Sequence, residues 1–219
     1  MAGSARAGSG SLRDQRRREK DRVSRQHILD AAERVFGRKG FHNATLKEIA
    51  EQAEFSVGAL YGFFDGKDDL FAQVLERQGR ALLDTMELAV EGAGSALEKL
   101  HRVADAQLDY FRQRPDFYRL FERELGGATW TFRTSLNEAG FERYREVMAF
   151  EAGIFREGVA SGELRAEDPE MMAALFSGIM QAYIAQWVFG LDARGRSAVE
   201  QAYPVSALHE LIDRAFVAT

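Results

Sequence analysis

Thr45-Leu-Lys-Glu-Ile-Ala-Glu-Gln-Ala-Glu-Phe-Ser-Val-Gly-Ala-Leu-Tyr-Gly-Phe-Phe64 carries the most structural information in the chain. Thr45 and Glu48 have the spacing of a capping box, in which each side chain satisfies an orphan backbone donor of the first helical turn. Leu46, Ile49, Ala50 and Ala53 then fall on one helical face. Ser56 is placed to cap a second helix that carries Val57, Leu60, Tyr61 and Phe64, with Leu60 and Phe64 as core. Two short helices joined by a tight turn have the geometry of a helix-turn-helix, whose second helix would lie in a DNA major groove. The pattern by itself also fits an ordinary helical hairpin.

Upstream, Ile28, Ala32, Val35 and Phe36 mark the apolar face of a helix over 24–39 that Gly40 stops. Residues 1–20 have no recurring apolar position and hold Arg16, Arg17, Arg18 and Lys20, so they are expected to be a disordered basic arm. Downstream, periodicity predicts helices over 67–91, 95–113, 116–125, 136–161, 169–190 and 197–217, besides 45–53 and 57–63 in the head. Asp168-Pro169 reads as an N-cap followed by proline at the first helical position. Pro204 either opens the last helix or kinks a longer one. No alternating strand pattern occurs. The fold class is therefore all-α, with an arm over 1–20, a three-helix head over 21–66 and a helical bundle over 67–219.

The chain has 219 residues, 46% of them hydrophobic and 29% charged, enough to bury a sizeable core. The absence of cysteine excludes a disulfide scaffold, a cysteine nucleophile and a thiolate metal site. The net charge of −5 hides an asymmetry: residues 1–67 hold 13 Lys/Arg against 9 Asp/Glu, so a basic head sits on an acidic body. Such a layout suggests that only the head meets a polyanion. The longest apolar stretch, Ile179–Leu191, is too short to span a bilayer and contains Gln181 and Gln186. The N-terminus has no signal-peptide apolar core. A cytoplasmic protein without membrane contact is expected. His27, His42, His101 and His209 form no i,i+4 pair, and no phosphate-binding glycine loop is present. No catalytic residue, metal or cofactor is therefore expected, and the chain does not read as an enzyme.

The segments ILDAAERVFGRKGFHNAT, LKEIAEQAEFS and VGALYGFFDGKDDLFAQVL, from Ile28 to Leu75, resemble the DNA-binding domain of the TetR/AcrR family of bacterial transcriptional regulators. The resemblance implies a homodimer that binds operator DNA through its N-terminal helices and a small-molecule effector in its C-terminal bundle, which also dimerises. It implies phosphate contacts from Thr45 and Lys47. Ser56, Val57, Gly58 and Ala59 would open the recognition helix towards base edges. Tyr61 would pack and reach the backbone, and Lys67 would grip a phosphate. Gly62 and Phe63 replace the aromatic and histidine common at these DNA-facing positions, so readout leans on thymine methyls, shape and phosphates. Basic residues from Arg13 to Arg25 would compensate. Glu54 stands where the family usually has glycine at positive φ.

The body is rich in aromatics: Phe111, Phe117, Tyr118, Phe121, Trp130, Phe132, Phe141, Tyr144, Phe150, Phe155, Phe176, Tyr183, Trp187 and Phe189. Such a bundle can enclose an apolar cavity. Leu108, Phe111, Phe117, Phe121, Met148, Phe176, Met180 and Tyr183 are the candidate lining residues, for an apolar or aromatic effector. Glu122 and Glu124 near the wall would suit a cationic one. Helix 169–190 is apolar on more than one side and, with Leu208, Leu211, Ile212 and Phe216, could form a two-fold interface. The function implied is a ligand-responsive repressor released from a palindromic operator by a mainly apolar small molecule. The alternative is an apolar-ligand sensor or carrier with weak non-specific DNA binding. A third reading, suggested by the basic arm, is an architectural DNA binder.

Overall fold

Local capping chemistry sets most helix boundaries. The computed structural model describes residues 11–125, 138–194 and 196–218. Within them the chain forms α1 (Leu12–Lys39), α2 (Leu46–Ala53), α3 (Val57–Leu60), α4 (Lys67–Val90) and α5 (Ala96–Gln113), then α6 (Pro115–Leu125) and α7 (Glu138–Ser161). The last three are α8 (Pro169–Arg194), α9 (Arg196–Ala202) and α10 (Val205–Phe216). Ser56 and Ser95 accept the backbone N–H groups of Ala59 and Glu98, and Asp168 accepts that of Met171 at 2.8 Å. Each thereby satisfies an orphan donor of a first turn. No strand occurs among the described residues; an isolated bridge joins Leu164 to Val217.

Three expectations need correction. First, α1 begins at Leu12, so residues 12–20 are helical rather than a disordered arm. Ser11 and Asp14 form a capping box there, and Glu19 pairs with Arg22 at 2.6 Å. Arg, Lys, Glu and Gln are good helix formers without any apolar face, so a fully solvated helix leaves no periodic signal. Second, the helix expected over 197–217 is divided at Pro204, which has an extended backbone. Third, Pro169–Gly190 is, by length and composition, long and apolar enough to cross a membrane, with mean hydropathy 1.3. The sequence reading measured the uninterrupted apolar run and missed the length of the whole helix. The buried side of this helix is bundle core: Met172, Ala173, Phe176, Met180, Ile184 and Trp187 are all buried. Trp130, Phe132 and the side chains of Glu124 and Phe141 lie outside the described residues.

Ile28, Phe36, Ile49, Leu60, Leu70 and Val74 form the head core, which continues into the body core of Leu100, Val103, Leu108, Phe155, Phe176 and Trp187. α4 bridges the two without a linker: Leu70, Phe71 and Val74 are in the head core, while Leu75, Gly79 and Leu82 face a cavity in the body. On α8, Met171, Leu175 and Phe189 are exposed, as is Leu211 on α10. The terminal helix otherwise buries Leu208, Ile212 and Phe216 within its own chain.

Candidate functional site

In the head, Thr45 accepts the N–H of Glu48 at 3.2 Å, and the Glu48 carboxylate accepts the N–H of Thr45 at 3.1 Å. This reciprocal box fixes the start of α2. Lys39 also pairs with Glu48, and together with the Thr45 bonds it holds the carboxyl below its usual range. Glu54 closes α2 in the left-handed region, with φ 59° and ψ 36°. α3 makes one α-helical turn and then tightens: Gly62 and Phe63 donate to Ala59 and Leu60, three residues back. The expected helix over 57–63 is therefore α-helical only to Leu60.

Thr45, Lys47, Ser56, Gly58, Tyr61 and Gly62 are exposed on this surface, Tyr61 at 60%. Val57, Ala59 and Phe63 are half-buried, and Val57 and Phe63 pack on the core. Lys47 reaches Glu51 only at 3.9 Å with its side chain 79% exposed, so it is free to turn to another anion.

Lys67 has internal partners. Its ammonium donates to the carbonyls of Phe41, His42 and Ala44 at 3.0, 3.4 and 3.1 Å, and it lies over the Phe41 ring. An ammonium has three protons, so these carbonyls engage its whole donor capacity. The residue ties the α1–α2 turn to α4. Arg25, expected in the basic arm, is likewise internal. It donates to the Phe63 carbonyl at 2.8 Å and to Gln73 at 2.5 Å, and its guanidinium covers the Phe64 ring.

The head is coupled to the body at two places. Arg77 on α4 donates to Asp30 and Glu33 on α1 at 2.6 and 2.8 Å. Gln78 donates to the same Glu33 and accepts the Tyr110 hydroxyl at its main-chain carbonyl. Burial pushes the Tyr110 hydroxyl well above its usual range and keeps it a donor. The second place is the seat of α6 on α1: Gly37 lies under the Asp116 backbone.

The body holds a mainly apolar cavity of about 110 Å³ between α4, α5, α6, α7 and α8. Of the expected lining residues, Phe111, Phe117, Phe121, Met148 and Met180 are there. Leu108, Phe176 and Tyr183 are not, which corrects the expectation. Leu108 is buried in the core; Phe176 packs on Phe155 at 6.0 Å; Tyr183 donates to the Pro204 carbonyl at 2.5 Å. Helical periodicity gives the apolar face of a helix but not the neighbour it meets.

Sequence reasoning missed the polar lining: Gln107, Arg143, Glu151, Ser177 and Gln181. A carboxyl set in the apolar run Val147, Met148, Ala152, Phe155 was the available signal. Glu151 is 1% exposed and accepts from Gln107 Nε2 at 2.7 Å through Oε1, while Oε2 has no partner among the described residues. Burial pushes its pKa up to about 8, and only the Gln107 bond opposes the rise. Glu122, expected to suit a cation, is tied to the Tyr118 hydroxyl and Gln181 at 3.0 and 2.9 Å.

Residues 28–74 match the model of the bacterial regulatory proteins of the tetR family. The fatty acid metabolism regulator protein of Bacillus subtilis is 25% identical over 188 residues, 83% of this chain and 94% of its own length. The HTH-type transcriptional repressor BepR of Brucella suis is 29% identical over 177 residues, 76% of this chain and 81% of its own. The fold matches the crystal structure of the transcriptional regulator FadR from Bacillus subtilis in complex with stearoyl-CoA. Its TM-score is 0.69, at 23% identity, covering 85% of this chain and 96% of that one. Residues 28–74 are thus a DNA-binding head of the bacterial tetR regulatory family, continuous with a helical body, and the chain is similar along most of its length to transcriptional regulators of that family.

Proposed function

We propose that the chain works in the cytoplasm as a homodimeric repressor that leaves a palindromic operator when a mainly apolar small molecule enters the body cavity. One observation carries the reading: the cavity walls are the helices that hold the head. Leu75, Gly79 and Leu82 belong to α4, whose first residue, Lys67, ties down the α1–α2 turn. Phe117 and Phe121 belong to α6, whose first turn sits on Gly37 of α1. The cavity of about 110 Å³ is smaller than the ~150 Å³ that a benzene-sized guest fills. A longer ligand would press these helices apart as it fills the cavity, and the displacement would reach the head.

Dimerisation is assigned to the exposed apolar residues Met171, Leu175, Phe189 and Leu211, which carry two helices into a two-fold four-helix contact. DNA contact is assigned to Thr45, Lys47, Ser56, Gly58, Tyr61 and Gly62, with Val57, Ala59 and Phe63 shaping the surface behind them. The stearoyl-CoA held by the Bacillus subtilis relative supports a long acyl chain as effector class. Titrating stearoyl-CoA against the protein bound to the inverted repeat nearest its own gene tests the reading. Release is the expected result. The alternative, a ligand sensor with weak non-specific DNA binding, draws on the short α3 and the internal engagement of Arg25 and Lys67. Equal affinity for the repeat and for random DNA would favour it.

A further inference from the structure

We propose that the effector bears a hydrogen-bond-accepting oxygen, the carbonyl of an ester or thioester, seated against the Glu151–Gln107 pair in the wall of the cavity. The inference rests on the effector reading above and specifies the polar atom that the apolar ligand must carry.

A buried carboxyl in an apolar wall is costly unless both of its oxygens are occupied. Gln107 Nε2 donates to Oε1 at 2.7 Å, which makes that oxygen the carbonyl-like one. Oε2 is buried and has no partner among the described residues. No cation is hydrogen-bonded to it, and burial favours the protonated acid. In that form Oε2–H is a buried donor in the wall of a mainly apolar cavity, and an acceptor from the ligand would complete it.

A second group in the same wall agrees. Arg143 lines the cavity from the same helix, and its Nε is also buried without a partner among the described residues. Positions 143, 147 and 151 share one helical face, and the first and last are about 12 Å apart along the axis. Both unfilled groups are donors, and the second is a cation. The Arg143 guanidinium is paired with Glu146 through Nη1, so Nε is its unfilled donor, and an ammonium ligand, which has no acceptor, could fill neither group. An acyl compound offers oxygen to Glu151 and places methylenes among Phe111, Phe117, Phe121 and Met180.

The test uses the full-length protein at neutral pH and three ten-carbon probes: decane, methyl decanoate and decylamine. Each displaces a fluorescent fatty-chain probe, and the reading is the dissociation constant. Wild type should hold methyl decanoate about 5–10-fold more tightly than decane, as one completed neutral hydrogen bond implies. Glu151→Leu should bind decane unchanged and lose the ester preference. Glu151→Gln, whose amide keeps a donor in the same volume, should retain part of that preference and controls for folding. An ester preference that survives Glu151→Leu would overturn the proposal, as would decylamine binding more tightly than the ester. Equal wild-type affinity for decane and ester would overturn it while leaving the apolar-effector reading standing. Failure of wild type to bind any of the three would remove both.

Discussion

Gly37 on α1 lies so close to α6 that a Cβ there would stand 2.4 Å from the Asp116 main-chain oxygen. The obstruction is backbone, which cannot swing aside as a side chain can. The missing methyl lets the first turn of the cavity-lining helix rest directly on the long helix of the head. Gly37→Ala should separate α1 from α6 and destabilise the chain by about 1–3 kcal/mol, as overpacking does. It should also weaken the response of DNA binding to effector. Urea melts and operator titrations check both. An unchanged melt and unchanged release would mean the seat carries no coupling.

Lys67 and Lys47 are proposed to have different roles, one structural and one in DNA contact. Lys67→Met removes a charged donor from the carbonyls of Phe41, His42 and Ala44. It should lower stability by about 1.5–3 kcal/mol, the range for a hydrogen bond from a charged group. The salt dependence of DNA binding by the folded variant should not change. Lys47→Ala should do the opposite, leaving the melt in place and reducing the salt slope by about 1. Reversed results would restore Lys67 as the phosphate contact.

Glu54 holds a left-handed conformation that costs an L-residue about 1–2 kcal/mol, and glycine avoids that cost at about 0.5–1 kcal/mol of extra chain entropy. Glu54→Gly should stabilise the head by up to about 1 kcal/mol in thermal melts. Loss of stability would indicate a contact from the Glu54 side chain that outweighs the strain.

These residues also show what the sequence made legible. The Thr45–Glu48 box, the cap at Asp168 and the strained turn at Glu54 are local. Their partners lie within four residues, and spacing alone reveals them. The cavity was only partly legible. Phe111, Phe117 and Phe121 were identified, but Leu108, Phe176 and Tyr183 lie on apolar faces that meet other helices. Links between distant residues left no signal. Arg25 meets Phe63, Lys67 meets Phe41, and Gln107 meets Glu151 only after the helices pack. The solvated start of α1 escaped for the opposite reason, since residues 12–20 bury nothing.

Glu151 should leave a signature in the pH dependence of stability. Its folded pKa of about 8 lies above the ordinary 4.5 of a solvated glutamate, so the folded protein retains a proton that the unfolded chain releases. Its contribution is therefore fully present below about 4.5 and is lost as pH rises towards 8. The slope is at most about 1.4 kcal/mol per pH unit for one proton. Glu151→Gln removes this term. The stability of the variant relative to wild type should rise between pH 4.5 and 8 and level off above. A constant difference across that range would mean that Glu151 is ionised in the folded chain.

The central claim is that effector binding moves the heads apart or together without disrupting either one. A two-fold dimer reads half-sites about 34 Å apart or a multiple of that. A ligand can shift this spacing only by binding the non-matching state more tightly. The most direct measurement is the affinity for an intact palindrome and for a single isolated half-site, each with and without saturating stearoyl-CoA. The account predicts a loss on the palindrome of about 5–150-fold, the usual range of allosteric coupling, and almost none on the half-site. An equal loss on both DNAs would contradict it, because the ligand would then be disordering or masking the head itself.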